Sequence, residues 1–271
     1  PEIKEPRFLS KVYINNLTLA PKGTKFEKDY LSLYKNHLYK LKGDMSVDSF
    51  YFYKQTTKSI KSLYTKHNQE FPKIIICLRN PYERIHSLSK QLNFFLESSV
   101  LDASKYPFHK NSINESIIFS KKNKMVFWEF DLFGNGIVAP GVDHFMSNFS
   151  KVHIIYFEDL ISNKFKVALS RFLNIPYNKN KLNQINPTIR TESIYFPLYR
   201  FCYKLNYLLN RKKYLKKLKA LFPLLKYVNI FFAKKLSEKN ELPHFSSNFF
   251  DNDIKALSNI TNKNLKQWLL K

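Results

Sequence analysis

Glycine is scarce in this chain, with five residues in 271, and none stands in a phosphate-cradling arrangement. A Gly-rich loop offers backbone N–H groups to a phosphate at a helix N-terminus, and the sequence contains no such device. Cysteine is scarcer still. Cys77 and Cys202 are the only two, too few for a disulfide framework and acceptable in a reducing compartment. The seven histidines and two cysteines show no zinc-ligand spacing. No apolar run is long enough to span a bilayer, and no signal peptide is visible. Acidic residues are also few: 21 Asp and Glu stand against 45 Lys and Arg, leaving a formal charge of +24.

Such an excess implies anionic partners: a phosphorylated nucleotide, an acidic polysaccharide, nucleic acid or an anionic membrane surface. Much of it is Lys dispersed among Asn, Phe, Tyr and Ile, a pattern that biased genomic composition also produces. With 44% hydrophobic residues the chain can bury a substantial core, and a single α/β domain over 1–271 is expected.

Residues 1–25 show little periodicity and read as an active-site loop, followed by a helix near 26–40. Asp44 to Tyr53 reads as a short strand and turn, and Thr56 to Lys66 as a helix. Residues 98–124, rich in Ser, Asn and Lys, read as a substrate loop. Gly134, Gly136, Pro140 and Gly141 punctuate the approach to a helix near 142–149. A strand at 152–157 and a helix near 163–173 form a β-to-α step, and strands alternating with helices favour a parallel sheet. Residues 195–239, with R-K-K-Y-L-K-K-L-K at 211–219, read as basic amphipathic helices broken at Pro223. Leu215, Leu218, Leu221 and Phe222 recur at helical spacing and are expected to make a core-facing stripe with a solvated basic face; binding to a membrane surface or an acidic glycan is the alternative.

The most informative stretch is Lys73 to Leu88, K-I-I-I-C-L-R-N-P-Y-E-R-I-H-S-L. Its continuous apolar run lacks the alternation of a strand with one wet face, so it is expected to be a parallel strand covered on both sides. Asn80 can cap and Pro81 suits a first helical turn. Arg79 then lies at a strand's carboxyl end, where open α/β sheets bind ligands, with Ser87 two turns along the helix. An Arg fork and a hydroxyl suit a phosphate. The alternative is an Arg79 paired with a carboxylate and a Ser87 facing solvent.

R-N-P-x-x-R-x-x-S after an apolar strand resembles the 3′-phosphate-binding motif of sulfotransferases, which use 3′-phosphoadenosine 5′-phosphosulfate (PAPS). The resemblance gives the 3′-phosphate to Arg79 and Ser87. The opening P-E-I-K-E-P-R-F-L is similar to the K-E-P-x-F-F segment of bacterial and glycan-type members, which places Glu5 at their catalytic base. Lys4 would help neutralise the transferred group and Arg7 contact the acceptor; a Glu5 ion-paired with Lys4 or Arg7 is the competing view. Lys42 to Ser46 resembles a G-E-K-S-P stretch, with Met45 replacing its Lys and Val47 its Pro, and Ser46 would line the site. V-H-I-I-Y-F-E-D-L at 152–160, F-L-N-I-P at 172–176 and the closing stretch 249–269 also resemble family segments. In the looser match I-N-P-T-I-R-T-E-S at 185–193, Asn186, Thr188, Arg190 and Ser193 approach the nucleotide, Arg190 as a binding residue. Arg84 is expected to anchor its helix, and Glu158 and Asp159 to cap or pair at a strand end.

The resemblance implies an α/β fold with a P-loop-NTPase-like parallel sheet flanked by helices and a helical C-terminal part. It implies sulfuryl transfer from PAPS, without a metal, to a hydroxyl or amine, with a carbohydrate as the expected acceptor. Such enzymes carry an upstream strand and K-x-G-T-T-like loop that this chain lacks, so a fragment that binds PAPS weakly and turns over poorly is expected. Localisation would be cytoplasmic in a bacterium and the Golgi lumen in a eukaryote. Two other classes remain open. A P-loop-type kinase would need a magnesium carboxylate, for which Asp159 is the candidate. A basic binder of nucleic acid or another anionic polymer would explain the charge directly but leave the ordered motifs to chance, which disfavours nucleic acid.

Overall fold

The computed structural model describes residues 5–19, 23–35, 41–97, 112–161, 163–177 and 243–270. Residues 195–239, the loop at 185–193, and the 98–111 part of the expected substrate loop lie outside them. Helices α1 (Glu27–Ser32), α2 (Asp48–Tyr51) and α3 (Tyr53–Lys66) precede strand β1 (Ile74–Leu78) and helix α4 (Pro81–Glu97). Helix α5 (Ile113–Lys122), a 3-10 turn (Trp128–Phe130), α6 (Leu132–Gly136) and α7 (Ala139–Asn148) lead to β2 (Val152–Tyr156). A 3-10 turn (Phe157–Ile161) and α8 (Asn163–Leu173) follow, then α9 (Asp251–Thr261) and a last 3-10 turn (Lys266–Trp268). Among the described residues no helix is long and apolar enough to cross a membrane.

The architecture mixes helices with a small parallel sheet. Strands β1 and β2 pair in parallel, Ile74 beside Val152 through Leu78 beside Tyr156. Parallel neighbours need a crossover, and the chain between them supplies helices. Burial along β1 corrects the expectation of a strand covered on both sides. Ile76 and Leu78 are buried, whereas Ile75 is 42% exposed and Cys77 is also exposed. Among the described residues the sheet has two strands, and along β1 side chains alternate between the packed face and the open one.

Two further expectations fail. Asp44 to Tyr53 contains helix α2 rather than a strand, and the 112–124 part of the polar segment contains α5, Ile113–Lys122. A capping box opens α5: the Ser112 side chain accepts from the Glu115 N–H, and the Glu115 carboxylate accepts from the Ser112 N–H at 2.7 Å. Two orphan donors are thereby satisfied reciprocally, which outweighs the loop-like composition.

The chain divides into two compact units, one of Pro1–His86, Ser112–Asn178 and His244–Lys271, the other of Ser87–Asn111 and Lys179–Pro243. The core of the first unit includes Ile85, Val142, Phe250, Ile254, Leu257 and Leu265. Thr56, Ile60 and Leu63 recur at helical spacing on the buried side of α3, which packs against α7. Helix α7 receives its N-terminal partner from elsewhere in the chain. The Asp253 carboxylate accepts from the Val138 N–H at 2.8 Å and the Ala139 N–H at 3.1 Å. Gly136 permits the approach, because a Cβ there would lie 2.1 Å from the Phe250 ring. Burial pushes the Asp253 carboxyl up, against the lowering effect of those two N–H groups.

Candidate active site

The expected site residues with described side chains fall into two groups in the first unit, apart from Ser87, which belongs to the second. Lys4 and Arg190, like Asn186, Thr188 and Ser193, lie outside the described residues.

The first group forms at the carboxyl ends of the strands. Asn80 caps α4: its Oδ1 accepts from the Tyr82 N–H at 3.0 Å, and Pro81 opens the helix. Arg79 stands between strand and cap. Its Nε donates to Glu83 Oε2 at 3.1 Å, one helical turn on, and its guanidinium carbon lies 4.7 Å from the centre of the Phe157 ring. The register explains the second contact. Leu78 pairs with Tyr156, so the next residues along the two parallel strands are Arg79 and Phe157. Arg79 thus has the carboxylate pairing of the competing view, but through Nε. Ser87 is exposed on α4, where the second unit begins.

Behind this rim the C-terminal segment is tied down. Trp268 donates from Nε1 to Glu158 at 3.0 Å, and Lys263 Nζ meets Asp159 at 2.7 Å. Glu158 and Asp159 therefore pair at the strand end, as the sequence leads one to expect, and the carboxylate a kinase would need for magnesium faces a lysine. Arg84 donates from an Nη to Asn135 Oδ1 at 3.2 Å, the anchoring role expected of it, and burial lowers its pKa.

The second group surrounds Arg7. Its Nη1 donates to Asp48 Oδ1 at 2.9 Å and its Nη2 to Glu5 Oε2. Asp48 is completely buried and also accepts from the Ser10 hydroxyl. Burial pushes its carboxyl up; the Ser10 hydrogen bond and the Arg7 charge oppose that. Arg7 has a positive φ of 55°, an uncommon conformation for a non-glycine residue, and its N–H donates to Ser46 Oγ at 2.9 Å. The Ser46 hydroxyl in turn donates to Asp44 Oδ1 at 2.6 Å. Glu5, Arg7 and Ser46 thus come together, with Glu5 held by Arg7, the Arg7 guanidinium also bonded to Asp48 and the Ser46 hydroxyl bonded to Asp44. Nearby, Glu129 accepts from the Thr18 hydroxyl and from the Leu19 N–H at 3.1 Å, while its Oε2 is buried and has no hydrogen-bond partner among the described residues.

Sequence reasoning missed Asp48, Glu83, Phe157 and Glu129. The fifth residue of the R-N-P-x-E run and an aromatic directly after the second parallel strand could have pointed to Glu83 and Phe157. Asp48 lies 41 residues from Arg7, and no local pattern announces it.

No family model matches the chain, and no curated protein matches it. Among solved structures, the crystal structure of a sulfotransferase from Alicyclobacillus acidocaldarius matches with a TM-score of 0.56 and 16% sequence identity, over 99% of this chain and 87% of that one. The chain has a sulfotransferase-like fold. At this identity the likeness is one of backbone architecture.

Proposed function

We propose that the protein is a PAPS-dependent sulfotransferase acting on a hydroxyl or amine of a carbohydrate. The observation that carries this reading is Arg79. It stands at the carboxyl end of a parallel strand in a sulfotransferase-like fold, inside an R-N-P-x-x-R-x-x-S run, with Glu83 taking only its Nε. The Nη edge of the guanidinium is a two-donor fork of the kind that grips phosphate. On this reading the β1–β2 pair belongs to a P-loop-like sheet, and Arg79 holds the nucleotide's 3′-phosphate.

PAPS supplies a sulfuryl group on a good leaving phosphate, and the chain supplies position, charge and a base. The acceptor oxygen or nitrogen bonds to sulfur as the bond from sulfur to the 5′-phosphate oxygen breaks, releasing adenosine 3′,5′-bisphosphate. The acceptor proton passes to Glu5. Arg7 orients that carboxylate, Ser46 braces the Arg7 backbone beside the acceptor, and Lys4 offsets negative charge on the transferred group.

Calorimetric titration with adenosine 3′,5′-bisphosphate tests the reading, comparing the protein with its Arg79→Ala variant. Binding by the former and its loss in the latter are expected. Transfer of radiolabelled sulfate from PAPS to a panel of desulfated glycans, lost in Glu5→Gln, tests the chemistry. No nucleotide binding, with strongly salt-dependent DNA binding instead, would replace this reading with the polymer binder that the +24 charge also suits.

A further inference from the structure

We infer that Phe157 is a positioning residue that holds the Arg79 guanidinium for the nucleotide's 3′-phosphate; the inference rests on the function proposed above.

Three observations support it. Phe157 is 46% exposed although the two residues before it, Ile155 and Tyr156, are buried, so packing alone does not account for an aromatic there. The Arg79 guanidinium carbon sits 4.7 Å from its ring centre, within the range of a cation–π contact. The parallel register that pairs Leu78 with Tyr156 makes this a contact between two strand ends, fixed by backbone hydrogen bonds rather than by a loop.

Arg79 is held from two directions, by the Phe157 ring and by the Glu83 carboxylate at Nε. A guanidinium has five donors in one plane, and a carboxylate at Nε uses the edge that includes Nε. The remaining two-donor edge is the one between Nη1 and Nη2. Restraint of the plane by Phe157 and of the rotation by Glu83 leaves that edge for end-on, two-bond contact with a phosphate. A long side chain free to rotate would lose conformational entropy on binding, and an arginine already held loses less. The ring therefore acts on the phosphate through Arg79 and needs no contact with the nucleotide itself.

The test uses the ratio of affinities for adenosine 3′,5′-bisphosphate and adenosine 5′-phosphate, which isolates the 3′-phosphate. It is measured by titration calorimetry, with the weaker ligand in competition, on the protein and its Arg79→Ala, Phe157→Leu and Phe157→Tyr variants. Phe157→Leu is expected to lower the ratio about three- to tenfold, the range of a partly exposed cation–π contact. Phe157→Tyr keeps a ring face and should hold the ratio within about twofold of the parent. A Phe157→Leu ratio equal to the parent's, including equal weakening of both ligands, overturns the inference, because the ring would then serve the fold or the nucleoside. An unchanged ratio in Arg79→Ala overturns the function proposed and this inference with it. A collapsed ratio in Arg79→Ala beside an unmoved one in Phe157→Leu sinks the inference alone. Thermal melts of each variant keep loss of fold from being read as loss of recognition.

Discussion

Arg7 and Asp48, 41 residues apart in the chain, form an ion pair at 2.9 Å in which the Asp48 side chain is wholly buried and that of Arg7 is 12% exposed. One guanidinium therefore carries a structural carboxylate on one nitrogen and the proposed base, Glu5, on the other. Removing one member of a buried pair leaves the other charge uncompensated, so Asp48→Ala should cost about 3–5 kcal/mol in urea denaturation. A loss under about 1 kcal/mol would mean that Arg7 finds water or another partner.

Glu129 sets a pH dependence. Burial raises its carboxyl above the ordinary value of 4.5, against hydrogen bonds from Thr18 and backbone N–H groups. A raised acid is more protonated when folded than when unfolded. Stability from this group is thus greatest below its ordinary value and falls as pH climbs through the folded one. Glu129→Gln removes the titration, so the melting temperature of the variant relative to the parent should rise from about pH 4.5 toward neutrality. A constant difference across that range would contradict this.

Asp253→Ala should destabilise the first unit by about 1–3 kcal/mol, because the buried Val138 and Ala139 N–H groups would lose their acceptor at the start of α7. Asp253→Asn keeps an oxygen there and should recover part of the loss. Equal losses in both variants would assign the effect to charge rather than to hydrogen bonding.

Trp268 closes the strand ends. It is 2% exposed and donates to Glu158 at 3.0 Å, so Trp268→Ala should cost about 3–5 kcal/mol from lost burial. Glu158→Gln can still accept from the indole N–H and should cost much less in the same chemical denaturation measurement.

The two β-to-α steps were legible because each couples a short apolar run to punctuation. Asn80-Pro81 marks the start of α4, and α8 spans 163–173 as its pattern indicates. Helix α2 was not, since four residues contain too little periodicity to separate a helix from a turn. Helix α5 hid in a Ser, Asn and Lys-rich segment, although Ser112 and Glu115 carried the capping signature. The wet face of β1 was unreadable because Ile75 and Cys77 are as apolar as their buried neighbours; exposure there depends on what covers the sheet, not on the strand. In the candidate site the motif pointed to Arg79, but its support from Phe157 depends on strand register, and the Arg7–Asp48 pair depends on chain closure.

The Tyr82 hydroxyl donates to Asp251 at 2.8 Å and accepts from the Phe250 N–H at 3.2 Å, across 169 and 168 residues. The first unit is therefore discontinuous, and its 244–271 portion follows every residue of the second in order of synthesis. On the ribosome, Tyr82 emerges long before its partners exist, and its hydroxyl stays hydrated until the last stretch arrives. Contacts so distant in sequence make closure slow and the waiting chain dependent on protection from aggregation.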